Sequence, residues 1–162
     1  LVLQKKIAIV VHYMDQSGIK SANREQMGKH FSAWLGTVKN AIDYAKTIPG
    51  ADQNSICLLG HSLGAQLALH AAANRSDVKS VAVMAGCFVL PTNSVKSMPP
   101  VLILQGTADK TVTMAREKKL IQTLKSLNCK YEEHLLKNVD HSFNQIEYEK
   151  LIELINKFIS KN

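Results

Sequence analysis

The chain has 162 residues, 46% of them hydrophobic, and a formal net charge of +7 from 20 Lys plus Arg against 13 Asp plus Glu. That is enough chain to bury a core of its own as a single domain, residues 1–162, and no apolar run approaches the roughly 18–20 residues of a membrane span. The basic residues are dispersed, with Lys5-Lys6 and Lys118-Lys119 the longest runs and no interleaved aromatics, so the charge reads as solvated helix faces and argues against nucleic acid or a membrane as partner.

Short β-branched runs alternate with longer helical stripes. Leu1 to Ala8 holds two lysines and no small-residue cleavage site, unlike a secretory signal. Lys6 to His12 (KIAIVVH) reads as a buried strand. Lys29 to Lys46 reads as a helix with Phe31, Trp34, Leu35, Val38, Ala41, Ile42 and Ala45 on one face, ended by Pro49-Gly50. Ser55 to Leu59 is a second strand, Leu63 to Ala73 an Ala/Leu-rich helix, Val78 to Ala85 a third strand and Val101 to Gln105 a fourth. Val112 to Leu127 is an amphipathic helix, Lys130 to Leu136 a fifth strand, and Gln145 to Ile159 a last helix with Leu151, Ile152, Ile155, Phe158 and Ile159 as its core stripe.

This alternation predicts an α/β fold: three layers, with a mostly parallel sheet covered by helices on both faces. Ligands in such sheets bind at the carboxyl ends of the strands. The three cysteines, Cys57, Cys87 and Cys129, show neither a CxxC pair nor zinc spacing. They read as buried free thiols of a protein kept in a reducing, cytoplasmic compartment. No metal and no cofactor is implied.

Gly60-His61-Ser62-Leu63-Gly64 is a G-x-S-x-G pentapeptide between an apolar strand and an Ala-rich helix, the strand–turn–helix setting in which the motif has a mechanism. A serine there must turn the chain sharply, which predicts strain at Ser62 and glycine on both flanks to avoid side-chain collision. The helix N-terminus offers the backbone N–H of Leu63 to a developing oxyanion. A serine needs a histidine base, and that base needs a carboxylate to orient it. Asp109 and His141 each lie just past the carboxyl end of a predicted strand, in the chain order Ser, Asp, His. Against these stand plainer roles: Ser62 and Asp109 as helix caps, His141 as a loop residue. Asp140 competes as the carboxylate, although its adjacency to His141 makes the geometry awkward. His12, His61, Cys87 and Phe88 are candidate substrate-pocket residues near the same edge.

Taken together, the segments 9–15, 41–45, 56–64 and 99–106, with Asp109 and the Asp140-His141-Ser142-Phe143 turn, resemble the α/β-hydrolase superfamily and its dienelactone-hydrolase-like branch. The resemblance covers nearly the whole chain and implies Ser62 as nucleophile, His141 as base and Asp109 as acid. Many dienelactone hydrolases use cysteine at the nucleophile position, so Ser62 points to the esterase-like relatives. Gln105 stands where many relatives have histidine. The strands that the family carries ahead of Lys6, with the turn donating a second oxyanion N–H, have no counterpart, and Leu1 to Gln4 would be a helix tail. The expectation is therefore a truncated α/β-hydrolase fold, a C-terminal part of the full domain, with an N-terminal segment or a second copy of the chain completing the sheet.

The implied activity is hydrolysis of a small-molecule ester, thioester or lactone through an acyl-enzyme. Peptidase or acyltransferase chemistry on the same three residues, or a degenerate hydrolase serving as a binding module, are the competing readings.

Overall fold

The computed structural model describes residues 6–162, and the chain divides into two compact units, Leu1–Gln53 and Asn54–Asn162. The helix tail expected at residues 1–4 lies outside the described residues.

In the first unit, helix α1 spans Arg24–Ala45, beginning five residues before the start expected from its apolar stripe. The reason is a capping box: the Asn23 side chain accepts from the Gln26 N–H (2.9 Å) and the Gln26 side chain accepts from the Asn23 N–H (3.0 Å). The helix buries Phe31, Trp34, Val38, Ile42 and Ala45, in the predicted 3/4 spacing. Trp34 Nε1–H donates to Ser17 Oγ at 3.0 Å, tying α1 to a short 3-10 turn, Asp15–Ser17.

The strand expected at residues 6–12 does not form. That stretch has no regular structure, and Ile7 and Val10 are 54% and 79% exposed. Its β-branched run satisfies the pattern of a buried strand, but a strand also needs a neighbour to take its backbone N–H and C=O groups, and the sheet assigns none to these residues.

The second unit holds a four-stranded parallel sheet in the order β1-β2-β3-β4: β1 Cys57–His61, β2 Ser80–Met84, β3 Val101–Gly106 and β4 Tyr131–Leu136. All residues of the central strands β2 and β3 are buried, whereas the edge strands β1 and β4 are only partly covered, as a sheet sandwiched between helices requires. Helices α2 (Leu63–Ala72) and α3 (Met114–Ser126) link successive strands that step in one direction, so right-handed crossovers put both on one face. Helix α4 (Gln145–Lys161) covers the other. Its Leu151, Ile155 and Phe158 pack with Ala82, Met84, Leu102 and Leu104, one alternating set of β2 and β3. Each such Leu, Ile or Phe contributes about 1.5–3 kcal/mol on burial, so the core anchors the strand ends on which the loops ride.

Among the described residues, no helix is long and apolar enough to cross a membrane. The three cysteines are free as expected, but only Cys87 is fully buried; Cys57 and Cys129 are partly exposed.

Candidate active site

β1 ends at His61 and α2 begins at Leu63, so Ser62 alone makes the turn, at φ 53° and ψ −117°. A non-glycine residue there carries strain of about 1–3 kcal/mol. Backbone bonds on both sides hold it: Ser62 N–H donates to the Met84 carbonyl (2.9 Å), and Gln66 N–H donates to the Ser62 carbonyl (3.1 Å). Ser62 occupies the N-cap position of α2, yet its side chain makes no cap bond. The hydroxyl is thus left for other work, and the plain capping role falls away.

The two glycines of the motif are not equivalent. A Cβ on Gly60 would overlap the backbone of Gly64 and Ala65, whereas a Cβ on Gly64 would meet open space. The expected collision on both flanks therefore holds for Gly60 only. The reason is that the main chain of Gly64, not its α-hydrogen side, is what presses on Gly60.

Asp109 and His141 sit on two loops stitched together at the ends of β3 and β4. Thr107 N–H donates to the Leu136 carbonyl (3.0 Å), Ala108 N–H to the Val139 carbonyl (2.9 Å), and Asn138 N–H to Thr107 Oγ1 (2.9 Å). Gly106 makes this approach feasible, because a Cβ there would strike the Val139 and Asp140 carbonyls.

The Asp109 carboxylate is fully shielded and fully occupied. Oδ1 accepts from the N–H groups of Thr111 (2.7 Å) and Val112 (2.8 Å), and Oδ2 from Gln105 Nε2 (3.2 Å) and His141 Nδ1 (2.8 Å). Burial alone would raise its pKa; the bonds from His141, Val112, Thr111 and Gln105 outweigh it and hold the carboxyl below its ordinary value. It does not cap α3, whose N-cap is Thr113.

His141 completes the chain, with Nε2 2.8 Å from Ser62 Oγ. Since a carboxylate only accepts, Nδ1 carries the proton and Nε2 is free to accept from the serine hydroxyl. Asp140, the adjacent carboxylate, instead accepts from the Ser142 N–H (2.8 Å). Leu63 is the first residue of α2, and its N–H is one of the four that have no intrahelical acceptor.

The candidate pocket residues fare differently. The His61 ring lies beside those of His141 and Phe143, at 5.4 and 5.5 Å. Cys87 is buried, which pushes its thiol pKa up against the opposing influence of Arg116. Phe88 packs edge-on to His70 at 5.0 Å, and His70 Nε2 accepts from the N–H groups of Val89 (3.2 Å) and Leu90 (3.3 Å). His70 thereby has a structural role, holding the start of the loop after Phe88. His12 belongs to the first unit, where its carbonyl accepts from the Asp15 N–H at 3.2 Å. No group of three or more His, Cys, Asp or Glu among the described residues could hold a metal ion. What sequence reasoning missed is Gln105, whose only signal was that it departs from the histidine common in relatives.

Solved structures share this architecture at low sequence identity. A dienelactone-hydrolase-like promiscuous phosphotriesterase from metagenomic libraries is similar with a TM-score of 0.76 at 13% identity, over 85% of this chain and 65% of its own. Esterase PE8 is similar with a TM-score of 0.70 at 17% identity, over 86% and 66%. A thermophilic esterase from the Planctomycetes species Thermogutta terrifontis, solved with propionate bound, is similar with a TM-score of 0.70 at 17% identity, over 80% and 65%. The alignments thus span about two thirds of these relatives' own length. No curated protein sequence matches the chain. The pattern of one protein family, however, runs through residues 7–157, including all of β1 to β4 and the residues Ser62, Asp109 and His141. On that span the chain belongs to the dienelactone hydrolase family and has its α/β-hydrolase fold.

Proposed function

We propose that this protein is a serine hydrolase of small carboxylic esters, thioesters or lactones, working through an acyl-enzyme on Ser62. The observation that carries the reading is the pair of 2.8 Å bonds, Ser62 Oγ to His141 Nε2 and His141 Nδ1 to Asp109 Oδ2.

In this reading Ser62 Oγ attacks the acyl carbon as His141 Nε2 takes its proton. Asp109 holds the ring in the productive tautomer and stabilises the imidazolium. The tetrahedral oxyanion falls to the Leu63 N–H and a second donor, each such donor being worth about 10²–10³ in rate. The imidazolium then protonates the leaving alcohol or thiol. Water, deprotonated by the same nitrogen, attacks the acyl-enzyme and releases the acid. The substrate is a small molecule, and His61, Cys87 and Phe88 are proposed to line its pocket. Family membership supports a hydrolase, and the esterases among the structural relatives favour an ester over an amide leaving group.

The test is a fluorophosphonate probe with mass mapping, alongside hydrolysis of p-nitrophenyl acetate. Stoichiometric labelling on Ser62 that disappears in Ser62→Ala, with ester turnover lost in parallel, is the expected result. A folded protein that neither labels nor turns over would leave a binding module as the better reading.

A further inference from the structure

His61 is the last residue of β1 and immediately precedes Ser62. Its Nε2 lies 3.2 Å from the main-chain carbonyl of His141. A carbonyl can only accept, so Nε2 carries the proton and donates. Burial holds the His61 pKa below its ordinary value; the bond to the His141 carbonyl opposes this, and the charge of His141 adds to it. The donor is therefore a neutral imidazole at neutral pH, with no second positive charge competing with an imidazolium at His141.

The bond has a consequence for the site. The His141 ring is fixed at its two nitrogens by Asp109 and Ser62. Among the hydrogen bonds of the described residues, the one from His61 is what reaches the main chain of His141 itself. The rings reinforce it: His61 faces His141 at 32° and meets Phe143 nearly edge-on at 62°. Because His61 ends β1 and Ser62 follows it directly, this tether links the backbone of the base to the strand that presents the nucleophile, 80 residues away in the chain. Displacing a reacting group by about 1 Å can cost 10²-fold in rate, so an anchor at this point has leverage.

We infer that His61 is a positioning residue, which sets the His141 backbone relative to Ser62 through its Nε2–H···O=C bond. This inference rests on the serine-hydrolase reading and assigns His61 a role distinct from substrate contact.

The experiment separates the donor from the ring. His61→Phe keeps the aromatic packing and removes the N–H, whereas His61→Gln keeps an N–H at about the Nε2 position and removes the ring. The rate constant for fluorophosphonate labelling of Ser62 and the kcat for p-nitrophenyl acetate are expected to fall about fivefold to tenfold in His61→Phe, as for loss of one neutral hydrogen bond. KM should change less than about twofold, and His61→Gln should recover most of the rate. Equal loss in both variants, or no loss in His61→Phe, overturns the inference.

A readout independent of turnover is the downfield NMR resonance of the His141 Nδ1 proton. It should broaden or shift in His61→Phe and be retained in His61→Gln. If the wild-type protein does not label at all, the hydrolase reading fails, while this resonance still decides whether His61 orders His141. Should His61→Phe not fold, His61→Asn takes its place, since its amide stops short of the Nε2 position.

Discussion

Gln105 and Asp109 are joined by a hydrogen bond from Gln105 Nε2 to Asp109 Oδ2 at 3.2 Å, and the same nitrogen reaches the Val112 carbonyl at 2.9 Å. Gln105 is the penultimate residue of β3 and fully buried, so it acts as a rigid peg under the loop that carries the carboxylate. Gln105→Leu would leave the Val112 carbonyl without its donor and Asp109 Oδ2 with His141 alone, at about 1–3 kcal/mol. The expected result is a lower midpoint in urea unfolding and a kcat for ester hydrolysis reduced about tenfold. Gln105→His, which retains an N–H, should keep most of both.

Asp109→Asn tests the orientation of the base. The Asn oxygen can still accept from Thr111 and Val112, but its amide N–H would face His141 Nδ1 and drive the ring into the other tautomer, which places a proton on the nitrogen beside Ser62. Ester turnover and Ser62 labelling should both fall by about 10³–10⁴. The pH dependence carries a sign as well. A carboxyl whose folded pKa lies below its unfolded value of 3.8 contributes stability above that pH and loses it as the pH falls through the folded value. The acid limb of the unfolding curve should therefore flatten in Asp109→Asn.

The unequal glycines of the Ser62 turn make a third prediction. Gly60→Ala forces a methyl into the Gly64–Ala65 backbone and should destabilise the protein by about 1–3 kcal/mol, with loss of Ser62 labelling. Gly64→Ala meets no atom and replaces a poor helix former in the first turn of α2. Thermal unfolding should show it unchanged or stabilised by up to about 1 kcal/mol.

Glu117 offers a pH test away from the site. It lies on α3 at 1% exposure, and neither of its oxygens finds a hydrogen-bond donor. Burial, and then the neighbouring Glu133 carboxylate on β4, push its pKa up to about 7, with Lys118 opposing. Burial and a like charge both oppose ionisation, so the folded protein retains a proton that the unfolded chain, at 4.5, has already lost. Stability should fall as pH rises from about 4.5 to about 7, then level off. Glu117→Gln should remove that slope and raise stability above pH 7 by on the order of 2 kcal/mol, as read in urea titrations across the range.

Residue chemistry and spacing along the chain were sufficient to indicate the α/β class, the helices and most strands, and Ser62, Asp109 and His141 as members of one site. These features are local or are set by chain order: apolar periodicity, a turn between a strand and a helix, and loops that parallel topology must gather on one edge. Residues 6–12 mark the boundary of that approach, since their composition suits a strand but pairing needs a partner that periodicity cannot supply. Likewise, G-x-S-x-G reads as symmetric, while only Gly60 is pressed by another backbone. Gln105 beneath Asp109, and His61 against the carbonyl of His141, belong to the same class of fact. Such contacts depend on angles and distances between segments brought together by the fold, and those are decided by how the sheet packs, not by which residues are neighbours in the chain.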